Sequence, residues 1–384
     1  MDKKEKRTNK FYRLFANLFL VILLSVAIIC VLFPDEEYSS SEKRALASFP
    51  TLTVDALLDG SFMDGMEDWC ADQFPYRNNL MQAKSWLSIQ IGAIRSQGVY
   101  LTQDGSLMES FTMPSEEALD AQIQALCDFA DRYPDSNFYY CLVPTAVSVL
   151  EDKLPNWALT DDQNTYIDAM KEGFASYGTF IDVRETFASA KDTTQLFYTT
   201  DHHWTTDAAY LAWQELHEAM ELESDTKYTS GVVTNTFSGS LALSSGFTPS
   251  QYDAIKIYIP ENNPVYTVTY NNTQTMTGSV YSLSSLDGDD PYQVFFGGNH
   301  PRITIKTAVK TDRKLLVIKD SYANCLIPFF LEDFSQITII DPRYYYEDLD
   351  LEMQSGGYTD VLYLYNVNTL SQDNYMVPVL QNQQ

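Results

Sequence analysis

The chain has 384 residues, 45% of them hydrophobic, and its 52 acidic against 25 basic side chains leave a formal net charge of −27. That balance argues against nucleic acid as a partner, because phosphate binding needs a positive footprint. The length is enough for one large domain, with or without an insertion.

Lys3, Lys4, Lys6, Arg7, Lys10 and Arg13 crowd the first 13 residues, and Leu14 to Phe33 then run for 20 residues without a charge. Such a stretch spans a hydrocarbon core of about 30 Å as a helix. Basic residues before it and Pro34-Asp35-Glu36-Glu37 after it orient the helix. The reading is a cytoplasmic tail over 1–13 and a single-pass anchor in the cell membrane over 14–33, with everything beyond outside. The rival is a cleaved signal peptide, but the apolar run exceeds the usual ~7–15 residues. Ala27-Ile28-Ile29-Cys30 resembles a lipoprotein cleavage box, with Ile29 too bulky for it.

Residues 34–98 read as a stalk and helical lead-in. An exposed stalk occupies 34–60, and helical spacing from Gly65 to Ile94 is broken at Phe74-Pro75-Tyr76-Arg77. From residue 99 onward the pattern is α/β. Gly98-Val99-Tyr100-Leu101 with Asp104-Gly105 predicts a hairpin, and Glu116 to Tyr133 an amphipathic helix with Leu119, Ile123, Leu126, Cys127 and Ala130 on one face. Asn137 to Val143 is a buried strand ended by Pro144, Tyr166 to Tyr177 a helix, and Thr179 to Val183 a strand. A helix capped by Thr205 or Thr206 runs to about Leu222. Residues 228–310, rich in Thr, Tyr, Ser, Asn and Gly, read as a β-rich insertion. The alternation resumes with strands at 315–318, 336–340 and 360–365 and helices after Ser321 and near 347–354. Strands alternating with helices imply a mostly parallel sheet with helices on both faces.

Two segments carry the chemistry. Thr200-Asp201-His202-His203-Trp204-Thr205 holds two of only four histidines, and Asp320-Ser321 follows the apolar run Leu315 to Ile318. Sites in open parallel sheets form outside the carboxyl ends of the strands, which is where Ser321 should emerge. A helix starting there would also offer free N–H groups to an oxyanion, although Pro328 kinks or delays it. Asp201 and His203, two residues apart in an extended segment, would point the same way. Together the residues supply an acid, a base and a nucleophile in the order Asp201, His203, Ser321. The plainer alternatives are that Asp320-Ser321 is only a helix cap and that the histidines only cap the following helix. A metal site would need further ligands, and His217 and His300 have no ligand-like spacing to the pair. No metal and no cofactor is expected.

Thr200 to Thr205, with Lys319-Asp320-Ser321-Tyr322-Ala323-Asn324, resembles the DHHW family of bacterial membrane-anchored proteins. Further matching segments are Phe49-Pro50, Phe74 to Arg77, Gly98 to Leu101, Phe237-Ser238-Gly239-Ser240 and Asp341-Pro342-Arg343-Tyr344. More distantly the chain is similar to the alginate O-acetyltransferases of the SGNH-hydrolase-like superfamily. The resemblance implies an SGNH-like α/β domain over 99–384, with Asp201 as acid, His203 as base and Ser321 as nucleophile. His202, Trp204, Asp320 and Asn324 are expected to support them. Lys319-Asp320-Ser321 replaces the usual Gly-Asp-Ser, and the oxyanion donor is unassigned among Asn299, Asn324 and Asn366.

The resulting expectation is an extracytoplasmic O-acyltransferase, acting on acetyl groups, or an esterase, with a cell-surface polysaccharide as substrate. By analogy, a membrane-bound O-acyltransferase partner supplies the acyl group. The alternative from another class is a non-catalytic glycan-binding or scaffold component of an exopolysaccharide complex. A metal-dependent phosphoesterase shares the Asp-His-His motif but brings Asp clusters that are not seen here. Tyr344-Tyr345-Tyr346 and Tyr363-Leu364-Tyr365 are candidate sugar-stacking elements. The acidity of the exported part predicts a neutral or amino-sugar polymer, unless Arg302, Lys306, Lys319 or Arg343 forms a basic groove. Among the exported cysteines, Cys127 and Cys141 lie in apolar runs and read as buried thiols; the pairing of all four (with Cys70 and Cys325) is open.

Overall fold

The computed structural model describes residues 3–36, 38–39 and 44–383. They divide into two compact units, residues 1–92 and 93–384.

In the first unit a helix runs Lys3–Leu32, and its Tyr12–Cys30 portion is long and apolar enough to cross a membrane. Residue 37 and residues 40–43 of the expected stalk lie outside the described residues. Helices Ser61–Asp72 and Arg77–Gln90 follow, separated at Pro75, whose ring removes a helical donor. Trp69 is buried against the preceding chain; its indole donates to Asp35 Oδ2 at 2.9 Å and meets Phe49 edge to face.

The second unit is built on an eight-stranded sheet. In chain order its strands are β1 (Asn137–Val143), β2 (Thr179–Phe180), β3 (Tyr266–Tyr270), β4 (Thr275–Thr277), β5 (Arg302–Thr307), β6 (Lys314–Lys319), β7 (Gln336–Ile340) and β8 (Asp360–Asn366). Their spatial order is β4-β3-β5-β7-β6-β8-β1-β2. The five strands from β7 to β2 are parallel, and β5, β3 and β4 add antiparallel at the far edge. β6 and β8 are apolar and buried almost throughout, as strands covered on both faces must be.

Two cores flank the sheet. One packs helix Thr206–Ala219, through Ala208, Ala212 and Leu216, against Leu315 and Val317. The other packs helices Glu116–Arg132 and Gln163–Phe174 against Leu316, Ile318 and Tyr363. Ser115 and Thr205 cap two of these helices, each accepting from the N–H three residues on.

Two local expectations are revised. The residues after Ser321 form 3-10 turns, Ser321–Cys325 and Ile327–Phe330, and no α-helix; Pro328 removes the donor that an α-helix needs there. Residues 228–310 divide in two: hairpin Tyr228–Phe237 with Asp253–Pro260 stands apart, while β3, β4 and β5 continue the main sheet through the β5–β7 pairing. Their period-2 Thr and Tyr runs suit an antiparallel edge with one wetter face.

Candidate active site

The site lies at the carboxyl end of β6, which has β7 on one side and β8 on the other. Asp320 follows the strand and caps the 3-10 turn Ser321–Cys325. Its Oδ1 accepts from Tyr322 N–H at 2.9 Å, and its Oδ2 accepts from the N–H (2.9 Å) and side-chain amide (2.6 Å) of Asn366 at the end of β8. These bonds fix the turn that carries Ser321. Burial pushes the Asp320 carboxyl up to about 6, against the pull of Arg343 and the N–H donors.

Asp201 and His203 sit on a bend closed by the isolated pairing of Phe197 with Trp204. The expected extended segment is absent because Asp201 Oδ1 accepts from His203 N–H at 2.9 Å, curling the chain as Asp commonly does in turns. The same oxygen meets His203 Nδ1 at 2.5 Å, and His203 Nε2 stands 2.8 Å from Ser321 Oγ. Asp201 and His203 are 2% and 1% exposed, and Ser321 8%. The structure thus brings Asp201, His203 and Ser321 into one hydrogen-bonded line.

The supporting residues fall around that line. His202 Nδ1 meets Ser240 Oγ at 2.6 Å, while its carbonyl accepts from the Tyr322 hydroxyl. Trp204 is fully buried and donates to Tyr322 O at 2.9 Å, tying the histidine bend to the serine turn. Asn324 donates to Asn299 Oδ1 at 3.0 Å, and buried Lys319 donates to the same oxygen at 3.0 Å. Lys319 also pairs with Asp341, which the neighbouring Lys319 and Arg343 charges hold at about 2 although burial pushes it upward. Asp201, His202 and His203 also offer ligand atoms within 4.8 Å of one another, a spacing a metal ion would accept. Both His203 ring nitrogens already face Asp201 and Ser321, so such an ion would have to displace one of those contacts.

Asp253 and Tyr292 carried little sequence signal, while Gly239 stood in a matching segment and Asn299 among the oxyanion candidates without the contacts they make. Asp253 accepts from the N–H and hydroxyl of both Thr199 and Thr200, at 2.7–3.0 Å, and so fixes the chain just before Asp201. Gly239 packs against Asp201 so closely that an added Cβ would lie 2.1 Å from the aspartate Cβ, and Ser240 N–H donates to Asp201 Oδ2 at 2.7 Å. Tyr292 stacks on the His203 ring, with centroids 3.8 Å apart. Asn299 follows Phe296, Gly297 and Gly298, all with positive φ; the Gly-Gly pair is the one cue that the chain turns sharply there. Of the candidate stacking tyrosines, Tyr345, Tyr363 and Tyr365 are buried in the core, and Tyr346 is exposed.

Residues 107–293 match the family model described as "SGNH hydrolase-like domain, acetyltransferase AlgX", a span that includes Asp201 and His203 and stops before Ser321. No curated protein matches the sequence. Among solved structures, a DHHW family protein from Eubacterium siraeum aligns at 22% identity and TM-score 0.64, covering 76% of this chain and 97% of the other. Bacillus cereus PatB1 aligns at 21% identity and TM-score 0.61, covering 73% and 98%. The O-acetyltransferase domain of Pseudomonas putida AlgJ aligns at 17% identity and TM-score 0.46, covering 76% and 100%. At these identities the structural likeness is one of fold. The chain has an SGNH-like α/β fold that resembles the DHHW protein, and just under half of it is similar to the AlgX-type domain model.

Proposed function

We propose that this protein is a membrane-anchored, extracytoplasmic O-acetyltransferase or esterase acting on a cell-surface polysaccharide. The observation that carries the reading is the continuous line Asp201–His203–Ser321, at 2.5 Å and 2.8 Å, at the carboxyl end of a parallel strand. His203 Nε2 takes the Ser321 proton as Oγ attacks the acetyl carbonyl, and Asp201 holds Nδ1–H and stabilises the imidazolium. Two donors beside the serine suit the oxyanion. Ser321 N–H has no protein acceptor among the described residues. Asn299 has its Oδ1 clamped by Lys319 and Asn324, which fixes the amide, and its Nδ2 has no protein acceptor among the described residues. We assign both to the tetrahedral intermediate. Collapse of that intermediate expels the donor's leaving group, which takes the proton from His203 and leaves the acetyl on Ser321. A sugar hydroxyl, or water in the esterase direction, then attacks the acetyl, gives its proton to His203 and releases Ser321.

The apolar helix at the amino terminus supports an anchor, and its flanking charges support an outside catalytic domain. Acetyl groups would come from a membrane-bound O-acyltransferase partner, as in the alginate system. A solved structure of PatB1 carries a sulfonyl adduct, which recommends a sulfonyl fluoride as probe. The detergent-solubilised full chain should take up the sulfonyl group at Ser321 and hydrolyse p-nitrophenyl acetate, and Ser321→Ala and His203→Ala should abolish both. Absence of label and turnover in the wild type removes the enzyme reading in favour of a scaffold. Activity that disappears with a chelator and returns with a divalent metal points instead to a metal site at Asp201, His202 and His203.

A further inference from the structure

Glu109 ends the short strand Leu107–Glu109 and is tied to both halves of the site. On one side, Leu107 N–H donates to Thr199 O at 2.7 Å, two residues before Asp201. On the other, Asn366, which grips Asp320 beside Ser321, caps the helix Val367–Ser371, and Asn368 in that helix donates to Glu109 Oε2 at 3.1 Å. Asn368 cannot flip, because its Oδ1 accepts from Gln163 Nε2 at 2.8 Å. Glu109 Oε1 has no protein donor among the described residues, and the side chain keeps partial access to solvent. Burial raises the Glu109 carboxyl and the Asp201 charge raises it further, while Glu109 in turn acts on Tyr322, the residue after Ser321. The two hydrogen-bonded connections tie the Glu109 segment to the segments that carry Asp201 and Ser321.

Basic residues near the same edge are held by carboxylates, two of them by one aspartate. Lys319 pairs with Asp341 at 3.0 Å, and Arg343 forks onto both oxygens of that aspartate at 2.8 and 2.7 Å. Arg302 is bound by Glu347 and Glu352. Lys306 pairs in register with Gln336, the first residue of β7, and so lies at the opposite edge of the sheet. The basic groove that would reverse the charge argument is therefore not formed by these four residues. A polyuronate approaching Ser321 would meet the Glu109 carboxyl, cations that already hold carboxylates, and Arg95, which donates to Ser110 Oγ at 3.1 Å beside Glu109, in a molecule of net charge −27.

We infer that Glu109 reads the acceptor, and that the acceptor is a glycan without carboxylates, whose hydroxyl or ammonium donates to Glu109 Oε1. This rests on the proposed polysaccharide function but is tested by binding, independently of catalysis. Full-length Ser321→Ala protein in detergent is titrated calorimetrically with short oligomers of N-acetylglucosamine, glucosamine and mannuronate. Charged hydrogen bonds of this kind correspond to about tenfold or more in affinity. The uronate oligomer should bind at least about tenfold more weakly than one or both of the others. Equal binding of the two amino-sugar oligomers identifies a hydroxyl as donor, and tighter glucosamine binding identifies the ammonium. Adding Glu109→Gln, which keeps a hydrogen-bonding oxygen for Asn368, should shrink that preference; Glu109→Lys should invert it, and either folded variant suffices. Uronate binding equal to or tighter than the rest, no binding by any oligomer, or an unchanged order in the folded variant overturns the inference. Failure of the wild type to take a sulfonyl label at Ser321 is a separate result, and bears on the catalytic reading alone.

Discussion

Replacing Gly239 with alanine adds a methyl group 2.1 Å from Asp201 Cβ, 2.5 Å from its Oδ2 and 2.6 Å from its Cα. Carbon atoms in contact sit about 3.5–4.0 Å apart, so one of the two chains must retreat by more than about 1 Å. Gly239 has φ −90°, a backbone any residue adopts, so the obstacle is space alone. If Asp201 moves, its 2.5 Å contact with His203 and its 2.7 Å bond from Ser240 N–H are both disturbed. If the 239–240 chain moves, Ser240 leaves His202 as well. Overpacking of this kind costs about 1–3 kcal/mol of stability, and a catalytic group misplaced by about 1 Å costs roughly 100-fold in rate. Gly239→Ala should therefore lower kcat/KM for p-nitrophenyl acetate by roughly 100-fold while the protein still melts cooperatively. Gly231→Ala is the control, because nothing lies within 4 Å of its added Cβ. A Gly239→Ala protein with wild-type turnover and stability would refute the claim that this glycine sets the position of Asp201.

Asn299→Ala removes the proposed oxyanion amide and should lower kcat by roughly 100-fold or more, with a much smaller change in KM; an unchanged kcat reassigns the donor. Cys127, Cys141 and Cys325 are buried, Cys70 is exposed and no pair is joined. A thiol reagent should therefore modify Cys70 in the native protein, and Cys127, Cys141 and Cys325 only after denaturation.

Much of the fold was legible because it rests on local signals. The buried runs at 137–143, 315–318, 336–340 and 360–365 are strands within a residue or two of their expected ends, since a central parallel strand must be apolar on both faces. The helix after Trp204 begins at Thr206 because Thr205 both precedes an apolar stripe and offers a capping hydroxyl. The candidate site was legible where a rare residue type met a strand end, as with the paired histidines and Ser321. Contacts made across long stretches of chain were not. Glu109, Asp253 and Tyr292 are ordinary residues in their own segments and meet the site through partners far away in the chain, while Gly239 and Asn299 stood in segments already singled out but gave no sign of the contacts they make. Tyr363 and Tyr365 failed as stacking candidates for the converse reason: β8 is central, so both of its faces are core.

Asp320 offers a test of how the serine turn is held. Its carboxyl rises from an ordinary 3.8 to about 6, because burial outweighs Arg343 and the N–H groups of Tyr322 and Asn366. The folded chain thus binds a proton more tightly here than the unfolded chain does. The resulting stabilisation is fully present well below about pH 4 and is lost as the pH rises through 6. At 1.36 kcal/mol for each pH unit between the two values, the loss amounts to about 3 kcal/mol. Neighbouring Asp341, held at about 2, stays charged across this window and adds no slope. Asp320→Asn cannot titrate, and it carries a constant penalty because its amide faces the Asn366 donors. Subtracting the two proteins removes every group they share. Urea unfolding should therefore show the stability of the wild type over Asp320→Asn shrinking by about 2 kcal/mol between pH 4 and pH 7, the rest of the loss falling below pH 4. A difference that stays flat, or that grows with pH, would mean that Arg343 and the N–H donors hold Asp320 ionised, and that the turn carrying Ser321 is anchored by a charge.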